Sequence, residues 1–336
     1  FEGGRTTEEG IHYLNGVPVH MTDFGRDKIF GFSTSNLAKW IQEKSSGKIQ
    51  VENILHLDIK QLDLAIQNED GFRTLLSFLS QLEKNVSVVV DAKSPQHLEI
   101  LVKAIKIIAK EKRFLFRTAA SFINSLSGLS PNPKSISELV SLKARNIDLE
   151  PKPGLIMVGS HVQLATKQLD ILLKENVCEG LEIPVTELAE IFVLEEYQNL
   201  ILELEDVLLS RIESILYRKK VPVLYTSRDE MQFSSDSERM DFGILLAEFM
   251  AILVGKITNK LGYIISKGGI TTQLLLQKGL NLSQVNLQGQ ILPGLSIVQS
   301  NSEQNNLPVV TFPGNLGNEK TLVESFRLME FNSSLL

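Results

Sequence analysis

The sequence predicts an α/β protein built as two Rossmann-like three-layer domains with mostly parallel sheets. Three observations carry this. Short aliphatic or β-branched runs alternate with amphipathic stretches, each run stops at a small-residue loop, and 336 residues accommodate about two domains of ordinary size. Strands and helices that alternate in this way pair in parallel and cover both faces of the sheet.

The elements follow in order. In the first third, mixed with glycine-rich and polar stretches, Val86-Ser87-Val88-Val89-Val90 is a β-branched run ending at Asp91 and reads as a buried strand. Leu98, Leu101, Val102, Ile105 and Ile108 then recur at three and four residues, the single stripe of a helix lying on a sheet. Pro131 and Pro133, the polar stretch 143–146 and the pair Pro151 and Pro153 break the pattern, so the inter-domain connection is expected near 130–153, giving domains of 1–150 and 151–336.

Beyond that point the alternation is regular. Leu155-Ile156-Met157-Val158 gives way to Gly159-Ser160-His161 and a helix carrying Leu169, Leu172 and Leu173. A long helix presents Ile201, Leu204, Leu208, Ile212 and Ile215 on one face, with Glu203, Glu205 and Arg211 between them. Val221–Tyr225 runs into Thr226-Ser227-Arg228, and a helix over 241–258 leads to Tyr263-Ile264-Ile265 and Lys267-Gly268-Gly269-Ile270-Thr271-Thr272. A helix over 273–278, the strand Val309–Phe312 with Pro313-Gly314-Asn315 after it, and a helix over 322–329 complete the chain.

Composition excludes several function classes. With 43% hydrophobic and 22% charged residues the chain is neither disordered nor fibrous, and a net charge of −6 offers no basic surface for nucleic acid. A single cysteine, Cys178, forms no internal disulfide or cysteine-rich zinc cage, and it reads as a buried apolar thiol in a chain of the reducing cytoplasm. The most apolar stretch, 244–254, is about three turns long and contains Glu248, so it reads as a core helix and no membrane span is expected. His12, His20, His56, His97 and His161 show no zinc spacing and are expected on the surface or capped within the core. The tripeptides starting at Asn85, Asn281 and Asn332 match the glycosylation pattern by chance.

The chemistry is expected in the loops. Ligands of open α/β sheets bind beyond the carboxyl ends of strands. Gly268-Gly269-Ile270-Thr271-Thr272 is the sharpest candidate, because paired glycines let backbone N–H groups approach an anion and the threonines add hydroxyl donors. Gly159-Ser160 and Pro313-Gly314-Asn315 repeat the arrangement, and together the loops suit a nucleotide phosphate, although a glycine after a strand is most often only a turn residue. Neither the Walker loop nor the dinucleotide Gly-x-Gly-x-x-Gly occurs, so a Walker-type NTPase and a standard dehydrogenase are excluded. Gly4-Arg5-Thr6 and Arg117-Thr118-Ala119-Ala120-Ser121 combine a guanidinium with hydroxyls, suited to a small sugar acid; an ion pair to a nearby glutamate is the plain alternative.

Read together, these segments resemble the four-carbon acid sugar kinase family of tetronate, threonate and erythronate kinases. Phe1-Glu-Gly-Gly-Arg-Thr-Thr, Gly10-Ile-His-Tyr, Thr22-Asp-Phe-Gly-Arg-Asp, Ser35-Asn-Leu and Arg117-Thr-Ala-Ala-Ser-Phe are similar to the later part of the family's substrate domain. Val158-Gly-Ser-His-Val-Gln-Leu-Ala-Thr-Lys-Gln, Gly268-Gly-Ile-Thr, Ile291-Leu-Pro-Gly-Leu and Thr311-Phe-Pro-Gly-Asn-Leu-Gly resemble its nucleotide domain. Two departures stand out: Ile270 occupies the place of an acidic residue, and Val162 that of a second serine.

The resemblance implies transfer of the γ-phosphoryl group of ATP, with Mg2+, to a hydroxyl of a four-carbon sugar acid. It assigns Gly159, Ser160, Gly268, Gly269, Ile270, Thr271 and Gly314 to the nucleotide, and Arg5, His12 and Arg117 to the acid. It also implies that the first domain, 1–150, is the C-terminal part of the substrate-binding domain and incomplete. Phe1 then follows a truncated start, and the catalytic base lies upstream, so no residue is named for it. Partners are the small acid, not nucleic acid or membrane, with homo-oligomerisation left open. The alternative is an inactive nucleotide-binding remnant or interaction module.

Overall fold

The computed structural model describes residues 4–26, 31–128, 133–194, 196–228, 231–300 and 306–330. The chain divides into two compact units, Phe1–Pro131 and Asn132–Leu336. Residues 133–150, expected in the first domain, instead build onto the second: Ala144 N–H donates to the Gly262 carbonyl at 2.9 Å, Lys134 N–H donates to that of Gln290 at 2.8 Å, and Leu139 is buried in the second unit's core.

The first unit opens with an antiparallel sheet, β1 (Arg5–Glu8), β2 (Ile11–Leu14) and β3 (Val17–Pro18), followed by α1 (Leu37–Lys44). Next come β4 (Ile54–Leu57), α2 (Ile59–Gln67), α3 (Glu69–Ser80), β5 (Ser87–Val90), α4 (Pro95–Ile108) and α5 (Ala120–Ser127). β4 and β5 pair in parallel, with His56 opposite Val89. All five residues of the expected α4 stripe are buried, packing with Leu57, Leu62, Leu75 and Leu79. The parallel sheet of this unit thus has two strands among the described residues, and the broad sheet lies in the second unit.

In the second unit α6 (Ile136–Leu142) precedes β6 (Gly154–Val158), α7 (Gln163–Leu172), β7 (Cys178–Ile183), α8 (Val185–Phe192), α9 (Tyr197–Tyr217) and β8 (Val221–Thr226). α10 (Asp236–Gly255), β9 (Tyr263–Lys267), α11 (Gly269–Leu274), β10 (Asn286–Leu292), β11 (Leu295–Gln299), β12 (Val309–Phe312) and α12 (Thr321–Glu330) follow. The seven strands run β10-β11-β12-β9-β6-β8-β7, parallel from β12 to β7 and antiparallel across β10, β11 and β12. Successive residues of β6 feed opposite faces: Leu155 and Met157 join one core, Ile156 and Val158 the other. This two-sided burial explains why the strands read as unbroken apolar runs.

Three expectations shift. α10 begins five residues before Asp241, because Ser235 caps it by accepting the Glu238 N–H at 3.1 Å, and it ends at Gly255. The helix expected over 273–278 begins at Gly269 and widens into a π turn over Leu275–Gly279. Glu205, placed between the apolar positions of α9, is buried and paired with Lys256. Among the described residues no helix is long and apolar enough to cross a membrane.

Candidate functional site

The seven residues expected at a nucleotide follow three neighbouring strands, β12, β9 and β6, at their carboxyl ends. The loops touch. Gly159 N–H donates to the Lys267 carbonyl at 3.1 Å, and Gly268 N–H donates to that of Phe312 at 2.9 Å. A side chain on Gly159 would meet Thr271 Oγ1 at 2.2 Å, and one on Gly314 would meet Ser160 Oγ at 2.8 Å. Gly268, at φ +124°, adopts a backbone conformation that side-chain-bearing residues rarely adopt. The glycines therefore let the three loops close on one another. Gly269 has open space around it and Ile270 is about half exposed, so this corner faces outward.

α7 leaves the first loop with Val162 as its N-cap, which supplies no side-chain acceptor, so the first-turn N–H groups lack side-chain capping. An anion is the natural complement of such a helix end. α11 is too short to add much of its own.

Two cations lie within this arrangement. Lys267, the last residue of β9, has no solvent exposure. Its ammonium donates to the carbonyls of Pro313 at 3.3 Å and Gly314 at 3.0 Å, and lies 3.9 Å from the centre of the Phe312 ring. Desolvation, helped by the nearby Arg228 charge, pulls it down to about 7. Arg228, just beyond β8, donates through Nη1 to the Ser160 carbonyl at 2.6 Å. Its Nε and Nη2 are buried with no hydrogen-bond partner among the described residues. Burial lowers its pKa, while Asp170, Tyr225 and Glu182 act in the opposite direction. Neither cation is legible in the sequence as a site residue: a lone basic residue at a strand end has no spacing signature, and its burial exists only in the fold.

Orphaned guanidinium nitrogens, glycine-cleared space and an uncapped helix end fit a phosphate chain. Magnesium fits less well. The three loops provide hydroxyls and amides but no carboxylate, and among the described residues no three His, Cys, Asp or Glu side chains gather as a metal site.

In the first unit His12 lies opposite Thr7 across the β1–β2 pair, and the Arg5 side chain reaches it diagonally. Arg5 Nη1 lies 3.1 Å from His12 Nε2, Thr7 Oγ1 lies 2.9 Å from His12 Nδ1, and the guanidinium stacks on Phe24 at 4.6 Å. Burial and the Arg5 charge pull His12 down to about 4, so its imidazole is neutral at pH 7. Arg117 sits on a different segment, exposed, with its guanidinium 4.6 Å from the centre of the Trp40 ring. Neither arginine is in an ion pair among the described residues. His20 and His97 are tied to Ser35 and Asp63, and His161 to Thr226, as capped or surface histidines. Cys178 is buried, and burial pushes its thiol up to about 12.

The family model described as the sugar-binding N-terminal domain matches residues 1–126, and the one described as the nucleotide-binding C-terminal domain matches residues 155–322. Among solved structures, a Salmonella typhimurium LT2 chain described provisionally as a tRNA synthase is similar with a TM-score of 0.62 and 15% identity, over 98% of this chain and 71% of that one. The Haemophilus influenzae protein HI1011 gives a TM-score of 0.52 and 15% identity, over 98% and 72%. At that identity the likeness is one of fold. No curated protein matches the sequence. With a sugar-binding unit followed by a nucleotide-binding one across most of its length, the chain belongs to the four-carbon acid sugar kinase family.

Proposed function

We propose that the protein is a kinase transferring the γ-phosphoryl group of ATP to a hydroxyl of a four-carbon sugar acid of the tetronate, threonate or erythronate type. The observation that carries the nucleotide half is the meeting of Gly159-Ser160, Gly268–Thr271 and Pro313-Gly314 beyond three adjacent strands, with Arg228 beside them holding two guanidinium nitrogens that have no hydrogen-bond partner among the described residues.

ATP supplies the phosphoryl group. The amides of Gly269, Ile270 and Gly314, with the hydroxyls of Ser160 and Thr271, bind and orient the phosphates, while the N–H groups of Gly159 and Gly268, bonded to the Lys267 and Phe312 carbonyls, hold the loops together around them. Lys267 and Arg228 balance their charge in a desolvated setting, where such contacts are strongest. The loops offer Mg2+ only the hydroxyls of Ser160 and Thr271 and no carboxylate; when bound with the nucleotide, the ion would supply charge neutralisation for the phosphates. In the first unit Arg5, held by neutral His12, and Arg117 grip the acid's carboxylate. The absence of a carboxylate from the three nucleotide loops favours a second reading, a nucleotide-binding module without catalysis.

A coupled assay of ADP release, with Mg-ATP and a panel of four-carbon sugar acids, separates the two. Turnover with at least one acid supports the kinase; a thermal shift with Mg-ATP and no turnover supports the module. Gly269→Asp introduces a negative charge where space is open, so it should keep the fold and weaken nucleotide binding by at least about tenfold. An unchanged nucleotide affinity in that variant would count against both readings.

A further inference from the structure

A second constellation in the first unit centres on His56 and Asp91. β4 and β5 are parallel neighbours, and their carboxyl ends bring together His56, the penultimate residue of β4, and Asp91, the residue after β5. The Asp91 side chain is 2% exposed and that of His56 40%. Asp91 Oδ2 lies 3.0 Å from His56 Nε2, and Oδ1 accepts the Gly10 N–H at 3.0 Å. The backbone fixes the carboxylate from both sides: Asp91 N–H donates to the Leu57 carbonyl at 2.9 Å, and Ala92 exchanges two hydrogen bonds with Thr7.

A buried carboxylate on Nε2 holds the imidazole in the tautomer with its proton on that nitrogen. Nδ1 is then a free lone pair on an accessible ring, and among the described residues it has no hydrogen-bond partner. Nearby, Asn36 caps α1 with its oxygen, accepting the Lys39 N–H at 3.1 Å, and a side chain on Gly10 would meet both the Asn36 amide nitrogen, at 3.8 Å, and His56 Nε2, at 3.9 Å. The hairpin that pairs with Ala92 also carries Arg5 and His12. The first unit therefore offers an oriented base and an amide donor around Gly10, and a guanidinium on the hairpin that pairs with Ala92, the set that a hydroxy acid needs.

We propose that His56, oriented by Asp91, contacts the reacting hydroxyl of the sugar acid and takes its proton. This rests on the kinase assignment above and places the base within the chain, on β4, instead of upstream of Phe1 as the resemblance implies. In the step, the hydroxyl O–H bond breaks and its proton passes to His56 Nδ1. The oxygen's electron pair forms the new bond to the γ-phosphorus, and the bond from that phosphorus to the bridging oxygen breaks, leaving its electron pair on ADP. His56 is the catalytic residue; Asp91 is a positioning residue.

The test uses the full chain with Mg-ATP and the sugar acid that gives the highest turnover. His56→Gln should lower kcat by about 100-fold or more, remove the acid limb of the kcat–pH profile and leave the Mg-ATP thermal shift unchanged. Asp91→Asn keeps an acceptor for Gly10 but presents an amide N–H to Nε2, forcing the ring proton onto Nδ1. It should lower kcat with little change in KM, in protein whose melting temperature and nucleotide shift show it folded. A His56→Gln enzyme that retains kcat and its pH profile overturns the proposal. If the unaltered protein turns over no acid, the kinase assignment fails, and the His56 contact is judged separately by NMR titration of its ring with threonate and erythronate. A ring shift abolished in Asp91→Asn sustains the contact; no shift overturns it.

Discussion

The Lys267 ammonium and the Gly314 carbonyl oxygen lie 3.0 Å apart, in a position where the lysine has no solvent exposure and no carboxylate partner among the described residues. A neutral carbonyl compensates a buried cation only in part. Its position at about 7 lies below the 10.5 of a free lysine, so between these values the unfolded chain binds more protons than the folded one. Stability should therefore rise as pH increases from about 7 to about 10, and fall on acidification through that window. Lys267→Met should flatten this part of the curve, measured as melting temperature against pH.

The same lysine links proton uptake to ligand binding. A phosphate chain beside it favours the charged form, so nucleotide binding at about pH 7.5–8 should take up a fraction of a proton. Calorimetric titration in two buffers of different ionisation enthalpy reads this directly. Lys267→Met should abolish it; equal uptake in the variant would place the proton elsewhere.

Arg228 should act as the phosphate clamp. Arg228→Leu removes two guanidinium nitrogens that are buried without partners among the described residues, so the ligand-free protein should lose little stability beyond the single bond to Ser160. Nucleotide affinity should fall by about 1.5–3 kcal/mol for each charge-assisted hydrogen bond lost. Titration of nucleotide against thermal stability, compared with Arg228→Lys, separates bidentate recognition from charge alone.

Val162 leaves the start of α7 uncapped. Val162→Ser should add an acceptor for a first-turn N–H and stabilise the ligand-free protein by about 0.5–2 kcal/mol, seen in denaturant unfolding. Because that acceptor competes for a donor otherwise open to an anion, the gain should shrink when nucleotide is present.

Much of the second unit can be read in its sequence, because strands buried on both faces must be continuous apolar runs and the helices between them need a stripe. Leu98 through Ile108 on α4, and Leu208, Ile212 and Ile215 on α9, lie where their spacing puts them. The hairpin β1–β2–β3 was not identified, although Asn15-Gly16, at φ 51° and 78°, is the turn dipeptide that such hairpins favour. Its strands are short and only partly buried, so they lack the alternation that marks a strand. In the candidate sites the glycines and hydroxyls were visible from their place after strands. Lys267, Arg228, His56 and Asp91 were not, because their significance comes from burial and from partners far away in the chain.

Trp40 is the single tryptophan of the chain, and the Arg117 guanidinium lies over its ring. An indole under a cation emits differently from one facing water, and every photon of tryptophan fluorescence from this protein originates in the first unit. The molecule thus carries an intrinsic optical probe of its sugar-binding half, one that should respond when an acid draws Arg117 away from the ring. Events at the loops after β6, β9 and β12 have no tryptophan of their own to report them.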